Sequence, residues 1–416
     1  MTEKFKGNNF PNLRFPGFEG DWEVKKLGEL LEFKNGINAS KEQYGKGVKF
    51  INVLDILNND FITYENIIGK VDVDANIIEK FSVQYGDILF QRSSETREEV
   101  GTANVYLDKT NNATFGGFVI RGKKVGDYNP IFFNKLLKTN SARESITSKS
   151  GGSTRFNVGQ EILSSIVLCF PTLLEQQKIA SFLSLIDERI TTQKKIIKNL
   201  ESLIQSFREK IFSRKLRFRN KESNVFPNWE RMKLKNLATR LTDKNTANNK
   251  NVLTISAQYG LISQLDFFNK SVSAKNVTGY YLLDKNDFAY NKSYSNGYPM
   301  GAIKKLINYE KGVVSTLYIC FRFHSNVNSD YMKHYFDSGF QNVEIEKIAQ
   351  EGARNHGLLN IGINDFFNIE IYLPSIEEKG IISNFLSKIE NKIGTEKKIL
   401  AQYKSQKNYL LSNLFI

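Results

Sequence analysis

The sequence predicts an α+β chain of two tandem, homologous mixed α/β domains, each followed by a long helix, with the two helices pairing as an antiparallel coiled coil. Three observations predict this. Four clusters of residues occur twice in the same order, the intervening segments read as short strands with one helical stretch per copy, and each copy ends in a long heptad-patterned run. The expected division is residues 1–174 for the first domain, 175–213 for the first long helix, 214–377 for the second domain and 378–416 for the second long helix.

The first repeated cluster is Trp22-Glu23 with Leu27 and Leu30, echoed by Trp229-Glu230 with Leu234 and Leu237. The second is Phe81-x5-Asp87-Ile88-x-Phe90-x2-Ser93, which returns as Tyr281-x5-Asp287-Phe288-x-Tyr290-x2-Ser293. The third aligns Phe118-Val119-Ile120-Arg121 with Ile319-Cys320-Phe321-Arg322, and the fourth aligns Ile166-x-Leu168-x2-Pro171-x3-Glu175 with Ile369-x-Ile371-x2-Pro374-x3-Glu378. The offsets are 207, 200, 201 and 203. Chance similarity does not stay collinear over a whole chain. The segments between clusters share almost nothing, so one scaffold presents two different surfaces.

Within the first copy, β-branched and aromatic runs bounded by Asn, Asp and Gly predict strands at 48–56, 87–93, 113–121 and 165–170; the second copy gives 251–257, 287–293, 312–323 and 368–373. A helical pattern covers 131–146 in one copy and 330–348 in the other.

After Pro171 the pattern changes to long helix. Leu183, Ile190, Ile197, Ile204 and Ile211 recur every seven residues, with Ile179, Ile186, Gln193, Leu200 and Phe207 as the second row. After Pro374 the rows are Leu386, Ile393, Leu400, Lys407 and Leu414, with Ile382, Ile389, Glu396, Tyr403 and Leu410. Both second rows break at the same level, Gln193 and Glu396. A helix of this length rises about 57 Å at 1.5 Å per residue, beyond the reach of the domain it leaves. Each stripe therefore needs a partner, and the other helix is equivalent. Antiparallel pairing places the domains at opposite ends of a rod and needs no return of the chain; a helix lying along its own domain is the alternative.

Composition bounds the chemistry. The 416 residues are 40% hydrophobic and 25% charged, ordinary for a globular protein, with no apolar run of membrane-spanning length and no apolar leader at the start. A cytoplasmic location is expected. Cys169 and Cys320 sit in apolar runs, which favours buried thiols, and three histidines give a zinc site little to build from. A formal charge of +14 points to nucleic acid or another acidic partner.

Catalytic tools for DNA chemistry are missing from the sequence. No two of the seven prolines are adjacent, as a Pro-Pro-aromatic base clamp needs, and no Gly-rich loop of methyltransferase, Rossmann or P-loop spacing occurs. Asp21, Glu23 and Lys25 approximate a nuclease cluster but read as a solvated edge beside Trp22.

Binding signals cluster where the copies differ. Gln91, Arg92, Ser93, Ser94 and Arg97 follow the strand that begins at Asp87, matched by Asn291, Lys292, Ser293, Tyr294, Ser295, Asn296 and Tyr298. Arg, Lys, Gln and Asn at a strand exit suit base edges or phosphates; an ordinary polar turn is the alternative. A second cluster, Lys149, Gly151, Gly152, Ser153, Thr154, Arg155 and Asn157, is matched by Arg354, Asn355 and His356. Backbone N–H groups in a Gly-Ser loop flanked by Arg suit phosphate oxygens, and a flexible hairpin is the alternative. Recurrence at matched positions favours function. Arg208, Lys210, Arg214, Lys215, Arg217 and Arg219 could rest on DNA or solvate a helix end.

Two variable domains, each opening with Trp-Glu-x3-Leu-x2-Leu and closing on Pro before a long Glu-led helix, resemble the specificity (S) subunit of type I restriction-modification systems. Residues 151–157 and 173–180 are typical of its first half. The resemblance implies that each domain is a target-recognition domain for one half of a bipartite double-stranded DNA site, with the helix pair setting half-site spacing. It implies two methyltransferase (M) subunits docked on the chain, bearing adenine methylation with S-adenosylmethionine, and restriction (R) subunits using ATP and Mg, with no catalytic residue or cofactor here. Two other readings stand beside it: a protein-binding coiled-coil scaffold, and a self-contained DNA-modifying enzyme with degenerate motifs.

Overall fold

In the computed structural model, residues 9–256, 260–268, 277–294, 297–349 and 359–416 are described. They form two compact units. The first runs to Lys194 and takes in Ile399–Ile416; the second is Lys195–Lys398.

Each unit is built on a four-stranded antiparallel sheet of the same strand order. In the first it runs Leu31–Asn35, Val119–Lys124, Ile88–Gln91, Ala103–Val105; in the second Ala238–Leu241, Ile319–Phe323, Phe288–Asn291, Ala302–Lys305. The repeated clusters turn out to be paired two by two. Glu23–Lys26 pairs antiparallel with Val167–Phe170, and Glu230–Lys233 with Glu370–Leu373, so the first cluster is zipped to the fourth. The second lies beside the third inside each sheet. The leucines that follow each Trp-Glu, Leu27 with Leu30 and Leu234 with Leu237, are buried beneath these sheets.

Sheet register corrects the third alignment. Phe90 faces Ile120 and Tyr290 faces Ile319, so the equivalent residues are 199 apart and not 201. The neighbouring strand agrees, with Phe33 opposite Gly122 and Arg240 opposite Phe321. Arg121 and Arg322 are consequently not counterparts. Arg121 donates to the Ser82 carbonyl, whereas Arg322 donates through Nε to Asp287 Oδ1 at 2.6 Å and through Nη2 to Asp284 Oδ2 at 2.7 Å.

Other expected elements are divided by local capping. The strand at 48–56 becomes Tyr44–Ile51 and a helical turn Val53–Leu57, whose first amide groups are served by Asn52 and Asp55. The helical stretch at 131–146 is two helices, Pro130–Leu136 and Asn140–Thr147, because Thr139 caps the second through the Ala142 amide. Its counterpart is Ser329–Asp337 and Asn342–Ile348, parted at Gly339 with φ +76°. Cys169 and Cys320 are free and buried.

The long helices are Leu173–Phe212 and Ile376–Asn413. In the second unit their pairing is antiparallel: Glu201 meets Lys397 at 2.6 Å, whereas Phe207, further along the first helix, meets Phe385, further back on the second, with ring centroids 5.0 Å apart. Ile204, Leu386 and Ile393 are buried there, with Leu200, Phe207 and Ile389 half-buried. In the first unit Leu183, Ile190 and Leu410 are buried, with Leu400 and Tyr403 packed against them. Ile197 is buried as well. Lys407, which interrupts its apolar row, donates to Asp187 Oδ1 at 2.5 Å, and Asp187 also receives Lys135. Burial by itself would raise the Asp187 carboxyl, but bonds from Lys135 and Lys407 hold it below the usual aspartate range.

The helix ends are tied into the units by matched bonds. Leu13 N–H donates to Asn413 O at 2.9 Å in the first unit, and Leu216 N–H donates to Lys210 O at 2.9 Å in the second. Phe415 packs edge-on to Trp22, and Phe212 packs edge-on to Trp229. Of the basic residues in the last turns of the first helix and beyond it, Arg208 is buried against His334 and Asp337, and Arg217 is engaged by Glu378. Both serve the fold.

Candidate nucleic-acid interface

The central strand Ile88–Gln91 delivers the first candidate loop to the edge of the first unit. Its position is fixed by Asp87, a buried carboxylate that accepts from Gln84 N–H at 3.0 Å and Lys124 N–H at 2.9 Å. Burial pushes the Asp87 carboxyl above its ordinary range against those bonds.

The two candidate loops of the first unit meet. Ser93–Ser94 pairs antiparallel with Phe156–Asn157, Val158 N–H donates to Arg92 O at 3.0 Å, and Gly151 and Asn157 exchange backbone bonds at 3.1 and 2.8 Å. Arg97 reaches across to the carbonyls of Thr147 (3.2 Å) and Ser148 (3.4 Å). Gly152 has φ +114°, and a Cβ there would lie 2.0 Å from the Arg155 carbonyl oxygen, so the tight turn demands glycine; Gly151 has open space. The loops are thus a built surface, with an open cleft of about 710 Å³ lined by Asn35, Arg92, Gly151, Gly152, Asn157 and Gln160.

Side chains on this surface divide into two groups. Arg92, Arg97, Lys149, Ser153, Thr154, Arg155 and Asn157 are exposed, and Ser93 is half-buried. Gln91 and Ser94 are buried and turned inward: Gln91 Nε2 donates to Ser93 O at 3.0 Å, and Ser94 Oγ to Glu99 Oε2 at 3.0 Å. They hold the loop, and the exposed set is what a ligand would meet. Lys149 Nζ is drawn back to Ser165, 3.1 Å from its carbonyl. Glu95 and Glu98 are also exposed, so the loop is mixed in sign; carboxylates as well as arginines can address base edges.

In the second unit, Asn291 accepts from Ser293 N–H at 3.0 Å, Tyr294 is exposed, and Lys304 Nζ stands 5.3 Å from the centre of the half-buried Tyr298 ring. Leu359 N–H donates to Lys292 O at 3.0 Å. That bond matches the one between Val158 and Arg92, so the chain rejoins the candidate loop at the same place in both units. Ser295, Asn296, Arg354, Asn355 and His356 lie outside the described residues.

Local sequence gave no signal for Asn35, which joins the cleft through sheet pairing; the roles of Arg14 and Arg217 do leave a trace in the sequence. Arg14 donates to Glu175 through Nε (2.9 Å) and Nη2 (2.8 Å), and Arg217 donates to Glu378 through Nε (3.1 Å) and Nη2 (2.7 Å). The repeated Leu13-Arg14-Phe15 and Leu216-Arg217-Phe218 carry that signal.

Residues 19–202 match the family model of the type I restriction modification DNA specificity domain. The MjaIX type I restriction enzyme specificity subunit of Methanocaldococcus jannaschii is 27% identical to it over 190 residues, 44% of this chain and 42% of the relative. The putative MjaX specificity subunit of the same organism is 24% identical over 246 residues, 57% of each chain. The chain spans about half the length of the curated relatives it matches. Among solved structures, the type I S subunit from M. genitalium superposes with a TM-score of 0.55 at 15% identity, covering 98% of this chain and 99% of the other. A chain of a type I R-M system, solved for its complex assembly and conformational transition, gives 0.55 at 13% identity, covering 97% of each. At such identities the likeness is one of fold, and it covers nearly the whole chain. Among the described residues no helix is long and apolar enough to cross a membrane.

Proposed function

We propose that this chain is the non-catalytic, sequence-reading subunit of a type I restriction-modification complex. Each recognition domain reads one half of a bipartite double-stranded DNA site. The paired long helices set the half-site spacing and dock two methyltransferase subunits, which carry the adenine methylation with S-adenosylmethionine. Restriction subunits using ATP and Mg join that core.

One observation carries the reading. The same scaffold occurs twice, with its two loops joined at the same backbone positions, Arg92 to Val158 and Lys292 to Leu359, while the side chains on those loops differ. A repeated frame with unlike readers suits a site whose halves are unlike. Exposed Arg92, Arg97 and Arg155 supply the phosphate and base-edge donors such reading uses.

Co-expression with a methyltransferase subunit, followed by single-molecule mapping of methylated adenines on random DNA, tests it. A split motif modified at one adenine in each half is expected, and exchange of the first domain should change only one half. Methylation by this chain alone, or no complex at all, would instead support the enzyme or the scaffold.

A further inference from the structure

We propose that Phe118, and Leu317 at the same register position of the second unit, contact nucleobases directly, each supplying the apolar part of half-site reading beside its recognition loop. The inference rests on the reading of the domains as DNA-binding modules.

Phe118 is 64% exposed and Leu317 63%. Sheet register makes them equivalent: Ile120 faces Phe90 and Ile319 faces Tyr290, and each apolar residue stands two positions earlier, on the turn that leads into Val119–Lys124 or Ile319–Phe323. Singly exposed apolar side chains are ordinary, and Ile68 at 89% is one that belongs to neither loop. Position sets Phe118 apart. Arg92 N–H donates to Phe118 O at 2.9 Å, and the Arg92 guanidinium donates to Gly117 O at 3.3 Å. The turn is closed by Val119 N–H to Gly116 O at 2.8 Å, and a Cβ on Gly117 would lie 1.9 Å from Asn38 Oδ1. The backbone is therefore held from several sides while the ring is left out in water. In the second unit Ser315 closes the turn, accepting from Tyr318 N–H at 3.1 Å through its carbonyl and from Leu317 N–H at 3.3 Å through Oγ.

A rigid turn presenting an apolar side chain next to a guanidinium fits DNA on both counts. The arginine addresses phosphate or a guanine edge, and the ring addresses a thymine methyl or the face of a base. Two unlike loops retaining a large apolar residue at one position is what a shared contact with bases would require.

The test uses the full chain in its methyltransferase complex and the split site mapped as above. Phe118→Ala should weaken binding to that site about tenfold, with little change on unrelated duplexes and no change in the salt dependence, since no phosphate contact is lost. Thymine-to-uracil replacement in the first half-site, or a 2-aminopurine reporter there, separates methyl contact from base stacking. Arg92→Ala should flatten the salt dependence. Unchanged specific binding by Phe118→Ala beside weakened binding by Arg92→Ala would overturn the inference alone. Loss of methyltransferase association with DNA affinity intact would make Phe118 a protein-docking residue and overturn it too. No DNA binding by the unsubstituted complex would overturn the functional reading and this inference together. Thermal melts of both variants should match the parent, because the side chain is exposed.

Discussion

Arg14 and Glu175, far apart in sequence, meet in a two-pronged ion pair of 2.9 and 2.8 Å in which the carboxylate is only 1% exposed. Arg217 and Glu378 repeat it, with the carboxylate fully buried and also receiving Trp229 Nε1 at 3.1 Å. These pairs join the segment before each Trp-Glu to the start of a long helix. Removing either arginine strands a buried charge. Arg14→Ala and Arg217→Ala should each cost about 3 kcal/mol of stability, measured by denaturant unfolding. Double replacement by apolar residues of similar volume should cost less than either single change.

Gly151 and Gly152 should behave oppositely. Gly152→Ala forces a side chain onto the Arg155 carbonyl at φ +114°, whereas a Cβ at Gly151 meets nothing. A loss of about 1–3 kcal/mol in local stability is expected for the first and almost none for the second. Proteolysis between residues 149 and 157, with DNA affinity alongside, reads both effects.

Acid should loosen the second unit. His334 is fully buried, accepts at Nδ1 from Arg208 at 3.2 Å, and therefore carries its proton on Nε2 toward Ser387 at 3.0 Å. Burial, then the charges of Lys333 and Arg208 against those of Glu390 and Asp337, push its pKa down to about 4 from 6.5. The neutral imidazole is the folded form, so its contribution is complete above pH 6.5 and is lost as the pH falls toward 4. On the order of 3 kcal/mol is at stake. Asp337, held well below the usual aspartate range despite burial by Lys333, Lys304 and Arg208, extends the loss below pH 3.8. His334→Gln should flatten the dependence of stability on pH between 6.5 and 4.

The helix seam is testable by charge. Ile197 and Ile204 are buried, and replacing both with Asp should cost several kcal/mol and abolish assembly with methyltransferase subunits. Co-purification and a thermal melt decide it; unchanged assembly would remove the helix pair from the docking surface.

What could be read in the sequence was what repeats or keeps a period. The clusters around Trp22, Asp87 and Ile166 and the heptads from Leu183 to Ile211 all fall where expected, because apolar spacing dictates which face is buried. The third cluster was misaligned by two residues, since Ile120 and Ile319 sit in similar apolar runs and only pairing with Phe90 and Tyr290 sets the register. Gln91 and Ser94 read as surface polar residues, yet Gln91 sits in the sheet opposite Val119 and Ser94 is paired with Phe156, far along the chain. Arg208 and Arg217 look like a basic tail in sequence; their partners Asp337 and Glu378 lie too distant for spacing to reveal.

The matched bonds from Leu13 to Asn413 and from Leu216 to Lys210 leave the covalent order of the halves unexpressed in the contacts. One joint is closed by the peptide chain between Phe212 and Leu216; the other has the same hydrogen bond without covalent continuity. A chain opened near residue 214, with residue 416 linked to the segment before Leu13, should close both joints again. At each joint a hydrogen bond and a peptide connection are in this sense interchangeable.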